Sequence, residues 1–116
     1  MQFSKKDAIY LQIANFICEQ ILSKKWQETE KIPSVRELAV TLEVNPNTIV
    51  RTYATLEHKG IINKTRGIGF YVDSNAINTI KKIKRQEFIN EDLLQLFNKI
   101  TYLDIDFAEL KYLYKS

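Results

Sequence analysis

Cysteine, glycine and proline are nearly missing from this chain: its 116 residues include one Cys, three Gly and two Pro. A lone thiol, Cys18, excludes an intramolecular disulfide, and with His58 the only histidine the chain lacks the donors of a zinc site. Scarce Gly and Pro argue against a loop-rich fold and favour helix. No glycine-rich phosphate loop exists, because Gly67 and Gly69 fall within one short candidate hairpin. No apolar run approaches the roughly 20 residues that span a bilayer, so no membrane partner is expected. The opening MQFSKKDAIY puts charge where a secretory signal would carry its apolar core, and a cytoplasmic protein is expected. Charge of one sign is also in short supply: 17 Lys and Arg against 14 Asp and Glu leave +3, which permits an anionic partner without demanding one.

What the chain does have is helical periodicity. Ile9, Ile13, Phe16, Ile17 and Ile21 predict a first helix, N-capped by Asp7 and running to about Lys24, with Cys18 roughly opposite its apolar stripe. KKWQETEK then reads as a polar connector in which Trp26 plugs the core. Ser34-Val-Arg-Glu37 has the pattern of a capping box, and Val35, Leu38, Ala39 and Leu42 mark a short second helix. Asn45-Pro46 starts a third, since Asn caps well and Pro at N1 gives up an N–H that has no partner there. Ile49, Tyr53 and Leu56 face inward, and Gly60 ends this helix at positive φ. The turn at Glu43-Val44 is too short for antiparallel helices, so the pair crosses steeply as a helix–turn–helix. A positive φ at Glu43 would cost on the order of 1 kcal/mol. Residues 61–64 (IINK) and 68–72 (IGFYV) predict strands around a tip at Thr65-Arg66-Gly67. The expected fold is mostly α with a small β-hairpin: a winged helix-turn-helix followed by a short all-helical segment.

Composition changes after Asp73, since residues 74–116 contain neither Gly nor Pro. This divides the chain into a winged helix-turn-helix domain, 1–73, and a helical dimerisation segment with a possible effector role, 74–116. Ile77, Ile80, Ile83 and Phe88, then Leu93, Leu94, Leu96, Phe97 and Ile100, predict a long helix with a weak point near Asn90. Asp106-Phe-Ala-Glu109 predicts a capping box opening a last helix. A helical pair this short cannot bury its own stripe, so a second copy of the chain is the expected partner. Ile80, Ile83, Leu93 and Leu96 are the expected dimerisation residues, and polar substitutions there should abolish DNA binding without touching DNA. Tyr102, Tyr112 and Tyr114 are assigned to interface packing rather than to an effector cleft, and no effector is specified.

The chemistry-bearing residues point to recognition, not catalysis. Cys18 and His58 lie on separate helices with no identifiable base for the thiol, so a thiol or hydrolase enzyme is disfavoured. Asp104 and Asp106 read as caps. No catalytic residue, metal site or cofactor is expected. On the third helix, Asn45, Asn47, Thr48 and Arg51 lie on or beside the outward, N-terminal face. Asn makes bidentate contacts to adenine, Arg to guanine, and Thr contacts several base edges. Val50 also points outward, where a thymine methyl suits it. Ser34 and Arg36 are placed for backbone phosphates, and Arg66 at the wing tip for a minor groove. Between residues 33 and 73 five basic side chains meet four acidic ones. Each monomer therefore neutralises few phosphates, and binding should be salt-sensitive. The rival is a winged-helix protein-interaction module that reads no DNA sequence.

Residues 8–72 also resemble the DNA-binding domain of GntR-family bacterial transcription regulators, most specifically in IYLQIANFICEQI, IPSVRELA, VNPNTIVRTYATLEHKGII and RGIGFYV. The short helical remainder is similar to that of the YtrA subfamily, whose members carry a two-helix dimerisation module. The resemblance implies a homodimeric repressor on a palindromic double-stranded DNA operator, often controlling transporter genes. It places DNA contacts at Ser34, Arg36, Asn45, Asn47, Thr48, Arg51, Arg66 and Gly67. This chain departs from the family at Pro46, where Arg is common, and at Val50, where Arg or Lys is. It also has Glu28-Thr29 in place of a common Pro-Gly, and Glu43 in place of Gly.

Overall fold

A computed structural model of the chain describes residues 7–116. Residues 1–6, on which the secretory-signal argument and the start of the first domain rest, lie outside the described residues. The chain separates into two compact units, Met1–Lys81 and Lys82–Ser116.

The first unit opens with α1, Ile9–Leu22. Asp7 does not cap it. Ala8 holds the N-cap position without a side-chain bond, and the Asp7 carbonyl accepts from Gln12 Nε2 at 2.8 Å. The helix stops before Lys24 because Lys24 turns to φ 65°. Its buried arc comprises Ile13, Ala14, Ile17, Cys18 and Ile21. Cys18 is thus a core residue, contrary to the expectation that it lies opposite the stripe; a globular helix covered from two sides buries a wider arc than a single seam.

The next stretch, expected as a plain connector, forms a third extended segment beside the hairpin. Thr29 N–H donates to the Val72 carbonyl (2.9 Å), Val72 N–H to Glu30 (3.0 Å) and Ile32 N–H to Phe70 (3.0 Å). Lys31 faces Tyr71 across this pairing. Trp26 is only half-buried and is not a core plug.

Two caps then set two helices. Ser34 and Glu37 exchange both capping-box bonds, at 2.9 and 3.2 Å, and open α2, Val35–Leu42. Glu43 follows at φ 56°, the left-handed residue that the short turn requires. Asn45 Oδ1 accepts from Asn47 N–H at 2.8 Å and opens α3, Pro46–His58, with Pro46 at its start. Gly60, at φ 78°, lets the chain leave α3 and enter the hairpin. Strands β1, Ile62–Thr65, and β2, Gly69–Val72, pair antiparallel from Ile62↔Val72 to Thr65↔Gly69.

The core between these elements holds Ile13, Ile17, Ile21, Ile49, Leu56, Ile62 and Val72. Tyr53 joins them. Its ring meets Phe70 edge-on, with centroids 4.8 Å apart, and its hydroxyl donates to the Pro33 carbonyl at 2.7 Å. Helix α4, Ala76–Glu87, adds Ala76 and Ile80 to the same core. Glu28 fixes its start by accepting from Ile77 N–H at 3.1 Å. The break between units therefore falls eight residues past the compositional change at Asp73. Ile80, expected at a dimer interface, is 1% exposed inside the first unit. The apolar i, i+3 pattern from Ile77 to Ile83 does not show which positions face the chain's own core.

In the second unit the helix relaxes to a π-helical stretch, Phe88–Asp92, around Asn90, where sequence placed a weak point. Helices α5, Leu93–Tyr102, and α6, Phe107–Lys115, follow. Asp104 turns between them at φ 53°, and Asp106 caps α6 by accepting from Glu109 N–H at 2.8 Å. Neither helix, nor the π-helical stretch, contains a buried residue.

Candidate nucleic-acid interface

The candidate surface is built on the two cap sites. Because Asn45 and Pro46 start α3 abruptly, one face of the helix lifts Asn47, Val50, Arg51 and Ala54 into the open, while Ile49, Thr52, Tyr53 and Leu56 point into the core. Thr52 fixes the rotation of the helix. It is wholly buried, and its hydroxyl lies 2.8 Å from the Thr48 carbonyl and 3.2 Å from that of Tyr10 on α1. Tyr53 anchors the same face through Pro33. The outward set therefore sits on a helix gripped from behind at two successive positions.

Ser34 and Asn45 are exposed, and each spends its side-chain oxygen on a cap. The Asn45 amide nitrogen and the Ser34 hydroxyl proton keep their donor capacity. Arg36 is exposed and borders an open hollow with Ala39, Val40, Val44 and Pro46. Asn47 is exposed and Thr48 half-buried; with Arg51 they flank a second hollow of about 370 Å³ against Ala8, Ile9 and Tyr10. The Arg51 guanidinium lies over the Tyr10 ring, 3.9 Å from its centroid. Arg66 and Gly67 are exposed at the hairpin tip, Gly67 at φ 78°. One pair in from the tip-side end of the hairpin ladder, Lys64 and Phe70 enclose a hollow with Val50, Ala54 and Glu57 of α3, which brings the wing against the same helix.

Sequence reasoning missed three contributors. Tyr10 was hidden as one more residue of an apolar helix. Lys64 was visible as an alternating strand position but not assigned. Val40, 78% exposed on α2, extends the apolar corner at Pro46.

Electrostatics keep this scaffold intact at neutral pH. The Ser34 backbone N–H, and then its side chain, hold the Glu37 carboxyl below its usual range, so the capping box stays charged. Burial pushes the Tyr53 hydroxyl well above its ordinary value, with Glu37 adding to the effect, so it stays neutral and bonded to Pro33. The exposed groups of the candidate residues are amides, hydroxyls, guanidinium groups and the Lys64 ammonium, with the Glu57 carboxylate beside it. Groups of these kinds are suited to anions and base edges. Cys18 is buried in α1 while His58 is exposed in the last turn of α3. Among the described residues, no group of His, Cys, Asp and Glu is placed to hold a metal ion. No helix among them is long and apolar enough to cross a membrane.

Comparison with known proteins places this surface in context. The family model "Bacterial regulatory proteins, gntR family" matches residues 9–72, which take in α1 through β2. The chain is 44% identical over 75 residues to the uncharacterized HTH-type transcriptional regulator YhcF of Bacillus subtilis, a match covering 65% of this chain and 62% of that one. It is 38% identical over 102 residues to the HTH-type transcriptional repressor YtrA of the same organism, covering 88% and 78%. Among solved structures, a putative transcriptional regulator of the GntR family from Bacteroides thetaiotaomicron superposes with a TM-score of 0.82 at 40% identity, covering 93% of this chain and 94% of that one.

Proposed function

Because the chain belongs to the gntR family of bacterial regulatory proteins, with YtrA among its relatives, and is a DNA-binding transcription regulator, we propose that it is a cytoplasmic repressor acting as a homodimer on an inverted-repeat operator. In this reading α3 enters the major groove. Asn47 and Val50 meet base edges there, with Thr48 and Asn45 beside them. Ser34 and Arg36 bind backbone phosphate at the start of α2, and Arg66 and Gly67 reach the flanking groove or backbone from the wing. The observation that carries this reading is the convergence of Asn47, Val50 and Arg51 on one exposed face of a helix whose opposite face is locked into the core.

Pro46 and Val50 are uncharged and exposed at the start of α3, so base reading leans on amide and apolar contacts. A bidentate amide contact discriminates by about 1–3 kcal/mol, and an apolar side chain favours the thymine methyl. Repression follows the description of YtrA, and control of transporter genes follows the family resemblance. The homodimer is supported by the second unit, whose apolar side chains include Leu94, Leu96, Phe97 and Phe107, each between 43% and 77% exposed. Ile83 and Leu93 are half-buried and belong to the same proposal; Ile80 leaves it.

The test is fluorescence anisotropy with DNA from upstream of the protein's own gene, at about 150 mM salt, where phosphate-driven binding weakens and specific contacts persist. Asn47→Ala should weaken operator binding roughly tenfold while leaving scrambled DNA unaffected, and Arg36→Ala should weaken both. Wild-type protein that binds every sequence alike would favour the protein-interaction module.

A further inference from the structure

Arg51 does not extend freely into solvent. Its guanidinium carbon lies 3.9 Å from the centroid of the Tyr10 ring, well inside the distance at which a cation is drawn to an aromatic face. The stack joins two helices, since Tyr10 belongs to the first turn of α1 and Arg51 to the second turn of α3. A second contact beside it fixes their separation: the Thr52 hydroxyl lies within hydrogen-bond distance of the Tyr10 carbonyl, at 3.2 Å. Thr52 is wholly buried, so the backbone of residue 10 and the start of α3 cannot shift apart without exposing it.

The two edges of α3 differ. Val50 and Ala54 border the wing, where Lys64 and Phe70 close a hollow. Asn47, Thr48 and Arg51 border α1, against Ala8, Ile9 and Tyr10. A recognition helix meets base edges with its N-terminal residues, here Asn47 in the first turn of α3, whereas Arg51, one turn farther along, is drawn back over Tyr10 of α1, toward the groove wall where the phosphates run. An arginine on the flank gains from being held still, because a side chain already stacked has less rotamer freedom to lose on binding. Its planar fork then meets a phosphate with two parallel N–H donors.

We propose that Tyr10 is a positioning residue for DNA binding: its ring holds the Arg51 guanidinium against the α1 edge of α3, poised for a backbone phosphate. This rests on the DNA-binding reading above and deepens it, assigning Arg51 to phosphate and giving α1 a part in the interface.

The experiment measures operator affinity at a series of salt concentrations for wild type, Tyr10→Phe, Tyr10→Leu, Arg51→Ala and the double variant Tyr10→Leu/Arg51→Ala, with thermal melts as folding controls. Arg51→Ala lowers the slope of log affinity against log salt by about 0.9 per bound monomer. Tyr10→Leu weakens binding about two- to fivefold per bound monomer, Tyr10→Phe restores it, and Tyr10→Leu has no further effect once Arg51 is gone. An equal loss from Tyr10→Leu with and without Arg51 would reduce Tyr10 to a structural role and overturn the proposal. So would an unchanged salt slope in Arg51→Ala. Both results leave wild-type operator binding intact, whereas failure of the DNA-binding reading shows as wild-type protein that does not prefer the operator. Should Tyr10→Leu not fold, Arg51→Lys takes its place. It keeps the charge and loses the planar stack, so weaker binding at an unchanged salt slope is expected, and wild-type affinity would overturn the proposal.

Discussion

Thr29 and Glu43 both adopt left-handed backbone, at φ 68° and 56°, a conformation that favours glycine. For Thr29 the strain is greater, because a branched Cβ crowds the preceding carbonyl. Thr29→Gly should therefore raise stability by about 1 kcal/mol, less a part returned to the entropy of the unfolded chain, with its N–H still bonded to Val72. Urea unfolding reads this, and a lower midpoint at unchanged slope would contradict it. Tyr53 makes a pH prediction. Its folded value is raised by burial and by Glu37, so the folded state holds the phenolic proton more tightly than the unfolded chain. Stability is fully present below about pH 10, the unfolded value. It falls by up to about 1.4 kcal/mol per pH unit above that, as the unfolded state ionises first. Tyr53→Phe should flatten that alkaline loss while costing about 1 kcal/mol at neutral pH for the lost bond to Pro33. At this scale the caps were legible, because Ser34, Asn45 and Asp106 bond within their own turns. Tyr10 was not, because its partner is 41 residues away in a different helix.

At the scale of elements, the helix–turn–helix and the hairpin followed from their punctuation: a capping box, an Asn-Pro start, Gly60 and two short β-branched runs. The extended segment at residues 29–32 was hidden because its pairing is through backbone and its side chains, apart from Ile32, are polar and exposed. Helix α4 was legible as a helix but not as a boundary. Its apolar positions serve the first unit at Ala76 and Ile80, and a stripe looks the same whichever surface covers it. Ile80→Ala should therefore cost about 2–5 kcal/mol of folding stability, as a cavity in the winged domain. Its signature is a lowered denaturation midpoint that does not depend on protein concentration. A midpoint that rises with concentration toward the wild-type value would return Ile80 to a dimer interface.

For the whole molecule, the two units differ in how they hold together. The first has a continuous core, whereas α5 and α6 contain no buried residue and leave Phe97, Tyr102 and Leu103 at least half exposed. Exposed apolar side chains in that number mark an interaction surface. If the proposed homodimer pairs through these helices, Phe97→Glu should give a monomer in sedimentation experiments where the wild type is a dimer and, by halving the phosphates engaged, weaken operator binding by more than tenfold. A dimeric Phe97→Glu variant would move the interface elsewhere. What sequence alone delivered at this scale was the order of the parts and their kind. Where the first unit ends depended on packing by α4 that no local signal records.

The most direct measurement is a selection of binding sites from a random duplex library, using the wild-type chain at about 150 mM salt. A two-fold dimer carrying one reading helix per subunit predicts an enriched inverted repeat, with half-site centres about one helical turn, roughly 10 bp, apart or more. Enrichment of a single unrepeated half-site, or of no sequence at all, would contradict the account.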